Sequence, residues 1–142
     1  VHMEAPIDLK GIARRGPTFR ETVLMHAVAR LALHPLIPNI QTSWVKLGVK
    51  GAAACLNAGA NDLGGTLMNE SISRAAGASH GQEFTPAGME NFIRDLGRTP
   101  RHRTTLYGDA PMARREAAGL AAPLTEMVQT PANKFAHGEA AE

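Results

Sequence analysis

Two short segments with the character of buried strands, each followed by a helical pattern, constrain the fold of this chain most strongly. Residues 37–45 and 61–68 are the two segments, and residues 48–56 and 69–76 carry the helical patterns, the first closed by Gly59. Alternating strands and helices predict an α/β fold with parallel strands and right-handed crossovers. Two strands are too few to cover and close a sheet. The sequence therefore predicts the end of a larger α/β fold rather than a whole one.

Local capping signals define two further helices. Thr18 with Glu21 three residues later predicts a capping box, and Pro35 marks the end of the helix that follows. The apolar stripe of this helix comprises Leu24, Ala27, Val28 and Leu31. Thr85 before Pro86 predicts a second clear start, because threonine is a good N-cap and proline suits the first helical position. An extended segment is predicted over residues 98–107.

Composition excludes several classes of protein. The formal net charge is only +2, and the one basic cluster, residues 98–103, fits a solvated surface better than a nucleic-acid or phosphate contact. No apolar run approaches the roughly 18 residues of a membrane span. Cys55 is the single cysteine, so no intrachain disulfide forms, and a buried, inert thiol in a cytoplasmic protein is predicted.

Polar groups gather where each predicted strand ends. Residues 39–44 hold two amides, two hydroxyls and a tryptophan, and residues 61–70 hold two acids, a glycine pair, a hydroxyl and two amides. Ligands of α/β proteins bind at the carboxyl ends of strands. The two segments are therefore predicted to form two walls of one pocket. His26 and His34 have no acidic or cysteine partner at ligand spacing, so metal binding is not predicted for them.

These segments carry a family resemblance. Residues 39–48 resemble the penultimate barrel strand of the CofH-type half of FO synthase, and residues 59–77 resemble its last strand and the helix that follows. Residues 97–107 resemble its closing segment, and residues 2–6 also match. The resemblance covers residues 1–108, and a C-terminal extension, residues 109–142, is predicted to be largely a disordered tail. Radical enzymes of the futalosine route to menaquinone share a looser version of the pattern.

The resemblance implies a TIM-type barrel and radical chemistry. Such enzymes hold a 4Fe-4S cluster on three cysteines and use S-adenosylmethionine to join part of tyrosine to 5-amino-6-(D-ribitylamino)uracil. This chain lacks the three-cysteine motif, so it would supply pocket walls and depend on the remainder of the barrel. The resemblance implies that the ligands are small molecules. It does not imply binding to nucleic acid or to a membrane. The alternatives are an inactive or partner-dependent remnant and a piece of a menaquinone-pathway enzyme.

The implied barrel assigns roles to the polar residues of the first segment. Gln41 and Ser43 share one parity and suit hydrogen bonds to a uracil edge or to ribityl hydroxyls, or else form a satisfied polar layer inside the barrel. Trp44 has the other parity and is a packing anchor more readily than a stacking platform.

The second segment supplies the remaining candidates. The predicted substrate-binding residues are Gln41, Ser43, Asn61, Asp62, Thr66, Asn69 and Glu70, and the predicted cofactor-binding residues are Gly64 and Gly65. Asp62 could accept hydrogen bonds from ribityl hydroxyls, and Glu70 could bind the tyrosine ammonium or simply cap a helix. Asn61 could instead cap a turn, and the glycines could form a bulge or a tight closure. His80 is a candidate proton shuttle.

Overall fold

The described part of the chain is mainly helical. The computed structural model describes residues 16–67, 70, 73 and 80–122. Its helices are α1 (Phe19–Leu33), α2 (Trp44–Asn57), α3 (Pro86–Asp95) and α4 (Met112–Leu120). Within these ranges the β-pairing consists of two isolated bridges, a parallel one between Gln41 and Asp62 and an antiparallel one between Arg103 and Asp109. The chain divides into two compact units, whose described residues are 16–65, 70, 73 and 80–82 in the first and 66–67 and 83–122 in the second.

Helix α1 begins and ends where the sequence predicts. The Thr18 hydroxyl accepts a hydrogen bond from the Glu21 backbone at 3.2 Å, and the Glu21 carboxylate accepts one from the Thr18 backbone at 2.7 Å. This capping box is confirmed. The helix ends at Leu33, directly before His34 and Pro35.

The apolar stripe of α1 is largely uncovered. No residue of α1 is buried, and Leu24 and Leu31 remain 55% and 83% exposed. The helix packs against α2 near Phe19, where a Cβ added to Gly51 would lie 3.7 Å from the phenylalanine ring. One end of α1 therefore contacts α2, while its stripe stays open.

The predicted strand over residues 37–45 is shorter in the structure. Ile37 is 50% exposed, and Trp44 and Val45 already belong to α2, four residues before the predicted helix start. The helix is kinked at Gly48, which marks the predicted start. Trp44 and Val45 are buried at 4% and 8% exposure, so packing of the first turn overrides their strand propensity. A strand with one short neighbour also lacks a ladder to extend it.

Helix α2 ends as predicted and encloses the core of the first unit. Gly59 follows the C-cap at φ +121°, and the amides of Gly59 and Ala60 donate to the carbonyls of Leu56 and Cys55. This is the Schellman arrangement that a C′ glycine favours. Among the described residues of this unit, the buried apolar ones are Ile40, Trp44, Val45, Ala52, Cys55, Leu56, Ala60 and Leu63.

Of the predicted strand over residues 61–68, the described residues 61–67 form only the bridge at Asp62. The helix predicted over residues 69–76 lies outside the described residues, apart from Glu70 and Ser73. The single bridge has the parallel direction predicted for these two segments. The described residues form a small helical structure with very little strand, and the larger α/β fold stays a prediction.

The second unit is built on α3. Thr85 caps the helix by accepting from the Gly88 amide at 3.1 Å, and Pro86 occupies the first turn, as predicted. Met89 is buried, and the rings of Phe84 and Phe92 lie 5.9 Å apart.

The chain after α3 differs from the prediction in two places. The segment predicted to be extended over residues 98–107 turns back at residues 105–108, where the Thr104 amide donates to the Gly108 carbonyl at 2.8 Å. Helix α4 was not predicted, because it has no apolar stripe; its Ala, Glu and Arg content favours a helix by propensity alone. The division of the chain at residues 108 and 109 stays a prediction, and residues 123–142 of the predicted tail lie outside the described residues.

Glu90 of α3 pairs with Arg94 and His102, and these pairs are expected to stabilise the second unit in a way that is lost at acid pH. The carboxylate of Glu90 accepts from Arg94 at 2.6 Å and faces His102 at 2.8 Å. The hydrogen bond from Arg94 is the main reason that the pKa of Glu90 lies below its ordinary value of 4.5. A lowered carboxyl pKa stabilises the fold above the ordinary value, and this stabilisation is lost as pH falls through the folded pKa.

We therefore expect Glu90→Gln to destabilise the protein at pH 6 by less than about 1 kcal/mol, because the pair is partly exposed. The difference from wild type should close as pH is lowered from 5 towards 3. Thermal unfolding across this range, with the exposed Glu116→Gln as control, measures it. A difference that persists unchanged at pH 3 would contradict the electrostatic origin.

Candidate ligand-binding site

The parallel bridge brings the two polar segments together. The Thr42 amide donates to the Asp62 carbonyl at 2.8 Å, and the Asn61 amide donates to the Ile40 carbonyl at 3.0 Å. Gln41 therefore stands opposite Asp62 in the pairing. The two segments are therefore adjacent, as predicted, and the bridge pairs one candidate residue from each, Gln41 and Asp62.

Side chains of the first segment alternate between a buried and an open side. Thr42 and Trp44 are 1% and 4% exposed, whereas Gln41 and Ser43 are exposed. This is the parity that the sequence predicts. The Trp44 indole donates to the Gly65 carbonyl at 3.1 Å, which supports its interpretation as a packing anchor. Gln41 and Ser43 are left together on the open side, where an amide and a hydroxyl can exchange hydrogen bonds with a ligand.

The glycine pair following Asp62 has two different environments. Asp62 is 8% exposed, and its Oδ1 accepts from the Gly64 amide at 2.9 Å, which closes a tight turn. Gly64 has φ +78°, and a Cβ there would clash with the side-chain nitrogen of Gln41. Apart from its two chain neighbours, no described residue comes within 4 Å of the position that a Cβ on Gly65 would take. Gly64 thus fits the tight-closure alternative, and Gly65 borders open space.

Asn61 is bound into the framework of the first unit. Its Oδ1 accepts from the Ile40 amide at 2.8 Å and from the Arg30 guanidinium at 2.9 Å. Its Nδ2 donates to the Pro38 carbonyl at 3.3 Å. These bonds resemble the turn-capping alternative, and direct contact of Asn61 with a substrate stays a prediction.

The remaining candidates are less closely defined. The Glu70 carboxylate accepts from the Ser73 amide, at 3.1 Å and 3.0 Å to its two oxygens, which is the geometry of an N-cap. Thr66 is exposed and belongs to the second unit. Asn69 lies outside the described residues. The roles of these three residues in binding stay predictions.

His80 contacts the start of α2. Its Nδ1 lies 3.1 Å from the Val45 carbonyl, which can only accept, so Nδ1 carries the proton and donates. A Cβ added to Gly48 would lie 3.4 Å from the imidazole ring. The ring thus packs at the kink of α2, and its predicted role as a proton shuttle stays a prediction.

Two basic residues of this region were missed by the sequence analysis. Arg30 donates to the backbone carbonyls of Pro38 and Gly59 and to the side chain of Asn61. Lys46 donates to the Ser73 hydroxyl. Lys46 and Ser73 are 27 residues apart. No local sequence pattern indicates partners at such separations.

Cys55 behaves as the predicted buried thiol. It is fully buried, and desolvation raises its pKa, opposed by a weaker interaction with the Thr42 hydroxyl. An iron–sulfur cluster needs several thiolates, and the sequence has one cysteine, so this chain does not provide a ligand set for a 4Fe-4S cluster. Among the residues that the structure describes, no group of three His, Cys, Asp or Glu side chains is arranged to hold a metal ion.

The parallel bridge thus holds Gln41 opposite Asp62, with Gln41 and Ser43 on an open polar side. Residues 7–116 match the family described as the CofH/MqnC C-terminal region, and the chain belongs to this family. Across the ranges described here, no helix is long and apolar enough to cross a membrane.

Curated relatives narrow the assignment within the family. The FO synthase of Streptomyces avermitilis is 55% identical over 118 residues, which is 83% of this chain and 14% of the relative. The 5-amino-6-(D-ribitylamino)uracil--L-tyrosine 4-hydroxyphenyl transferase of Methanopyrus kandleri is 60% identical over 107 residues, which is 75% of this chain and 29% of the relative. The chain thus corresponds to a C-terminal CofH-type segment of FO synthase and spans less than a third of these relatives. No solved structure matches it.

Proposed function

We propose that this chain forms the last strand–helix units of a radical S-adenosylmethionine TIM-type barrel and contributes one wall of the substrate pocket of an FO synthase. The observation that carries the proposal is the pairing of Gln41 with Asp62, with Gln41 and Ser43 on the open side. Parallel pairing and alternating burial are what two adjacent barrel strands require. The pocket-facing positions of such a barrel lie at the strand ends.

The polar residues suit the two substrates that the name of the Methanopyrus relative contains. The Gln41 amide can donate and accept at once, as the edge of a uracil ring requires, and Ser43 adds a hydroxyl. The Asp62 carboxylate accepts hydrogen bonds from ribityl hydroxyls, and Glu70 pairs with the tyrosine ammonium. Thr66 and Asn69 complete the proposed substrate contacts.

Cofactor binding divides between this chain and the rest of the polypeptide. Open space beside Gly65 allows S-adenosylmethionine to approach the backbone there, and Gly64 keeps the turn tight. The cluster belongs to the remainder of the barrel, because this chain lacks the thiolates. The complete enzyme is proposed to act in the cytoplasm, on small molecules rather than on nucleic acid or membrane.

An inactive or partner-dependent remnant is the second candidate. The uncovered stripe of α1 and the single buried cysteine favour it, since both features leave the chain incomplete alone. The names of the relatives favour an FO synthase segment over a piece of a menaquinone-pathway enzyme.

A chimera tests the proposed function. Residues 7–116 of this chain would replace the homologous segment of the Methanopyrus transferase, which supplies the rest of the barrel. We expect the chimera to form coupled product from tyrosine and 5-amino-6-(D-ribitylamino)uracil, measured by mass spectrometry, within about tenfold of the parent rate. That margin is about 1.4 kcal/mol of barrier, a small repacking cost.

The parent enzyme and a version lacking the segment are the controls. A folded chimera that contains its cluster but forms no product would favour the inactive remnant.

A further inference from the structure

One arginine links helix α1 to both predicted strand segments, residues 37–45 and 61–68. The Arg30 Nε donates to the Gly59 carbonyl at 2.7 Å, and its Nη1 donates to the Pro38 carbonyl at 2.7 Å. Its Nη2 donates to Asn61 Oδ1 at 2.9 Å. All three nitrogens of the guanidinium are thus engaged, each with a different acceptor.

The acceptors lie within three residues before the bridge on both sides. Pro38 precedes Gln41 by three residues, and Asn61 directly precedes Asp62. The Asn61 Oδ1 that receives Arg30 also receives the Ile40 amide at 2.8 Å. The Arg30 guanidinium and the Asn61 carboxamide therefore connect the two segments at Ile40 and Asn61, one residue before the bridge between Gln41 and Asp62.

Few other contacts fix the register of the described pairing: the Trp44 indole donates to the Gly65 carbonyl, and Asn61 Nδ2 donates to the Pro38 carbonyl. The hydrogen bonds between the two backbones are Thr42 to Asp62 and Asn61 to Ile40, and no longer ladder is present within the described residues. A slip of one residue would turn every following side chain to the opposite side. Gln41 would then lose its place on the open side.

We infer that Arg30 is a positioning residue that sets the register of Gln41 against Asp62 and so prepares the substrate-binding face. The effect of Arg30 on catalysis rests on the proposed function. Its effect on the backbone pairing does not. Arg30 itself lies on α1 and acts through Asn61 and the two backbone carbonyls.

Lysine cannot replace arginine here. The three acceptors require donors spread over a rigid planar fork, whereas an ammonium presents its donors from one point. The stem is also fixed, because a Cβ on Gly59 would lie 2.7 Å and 2.9 Å from the Cβ and Cγ of Arg30. The side chain thus crosses directly over the glycine backbone to reach its partners.

The chimera with the Methanopyrus enzyme provides the test. Arg30→Lys and Arg30→Gln would be compared with Arg20→Lys, a change at an exposed position of the same helix. We expect hydrogen-exchange protection of the Thr42 and Asn61 amides to fall about tenfold or more in both Arg30 variants, since hydrogen bonds to charged groups are among the stronger ones. In the Arg30 variants, protection of the α3 amides should stay unchanged. In Arg20→Lys, protection of all amides should stay unchanged.

Steady-state kinetics separates positioning from simple loss of folded protein. A smaller folded fraction lowers kcat and leaves KM unchanged, whereas a misplaced binding face raises KM. We expect KM for 5-amino-6-(D-ribitylamino)uracil to rise about tenfold in the Arg30 variants, with a smaller change in kcat. Arg20→Lys should retain the wild-type KM.

The outcomes distinguish this inference from the proposed function. An inactive chimera refutes the proposed function, while exchange at Thr42 and Asn61 still decides the role of Arg30. Unchanged protection of both amides in Arg30→Gln overturns the inference. An active chimera with lost protection but with KM unchanged in both Arg30 variants overturns its catalytic part.

Discussion

Asp62→Ala in the active chimera is expected to lower product formation at saturating substrate by about tenfold or more. The carboxylate is buried beside Gln41, and a substrate hydroxyl left without its acceptor costs more than about 1 kcal/mol. The change also removes the acceptor of the Gly64 amide, so stability must be measured with activity.

Asp62→Asn separates the two roles of this side chain. Asparagine keeps an Oδ1 for Gly64 and removes the charge. We expect Asp62→Asn to restore the melting temperature and to leave product formation low, with Asp95→Ala at an exposed position of α3 as control. Normal turnover of Asp62→Ala at saturating substrate would show that Asp62 is structural.

Glu70 is expected to follow the same pattern. Its carboxylate accepts from the Ser73 amide, so Glu70→Ala removes a cap and the proposed tyrosine contact together. Glu70→Gln keeps an oxygen for the cap. A loss of product formation in Glu70→Gln without a loss of stability would assign the charge to binding, and full activity would assign Glu70 to capping alone.

The 142-residue chain expressed alone is expected to associate rather than persist as a stable monomer. Leu24, Leu31 and Leu36 are 55%, 83% and 88% exposed, and they lie on α1 or in the turn after it. Clustered exposed apolar residues mark surfaces that are covered in the complete protein. The short pairing at Gln41 and Asp62 also leaves strand edges open. A domain has only about 5–15 kcal/mol of net stability, so the loss of neighbouring core is severe.

Sedimentation velocity and hydrogen exchange on this chain measure the effect. A variant with Leu31→Gln and Leu36→Gln should shift the distribution towards smaller species, because the two most exposed leucines of this region are removed. Arg20→Lys on the same helix is the matched control. A monodisperse wild-type monomer with slowly exchanging amides at Thr42 and Asn61 would mean that the chain is an autonomous domain.

Local chemistry made the helix ends predictable. Thr18 with Glu21, and Thr85 with Pro86, lie within a few residues of the amides that they cap, so the signal is complete in the sequence. The C′ position of Gly59 is equally local. These elements were confirmed because no distant partner decides them.

Long-range partners explain what sequence reasoning missed. The strands over residues 37–45 and 61–68 need neighbouring strands to form a ladder, and the described chain offers each of them one short partner. Arg30 contacts acceptors 8, 29 and 31 residues away, which no periodic pattern encodes. The parity of Gln41 and Ser43 was predictable, because alternation depends on the backbone alone.

The bond from the Trp44 indole to the Gly65 carbonyl has a spectroscopic consequence. The sequence contains a single tryptophan, so all indole fluorescence of the protein arises at this junction of the two polar segments. The ring is buried, and water reaches it only when the junction opens. Its emission wavelength therefore distinguishes opening of this junction from events elsewhere in the chain, without an added label.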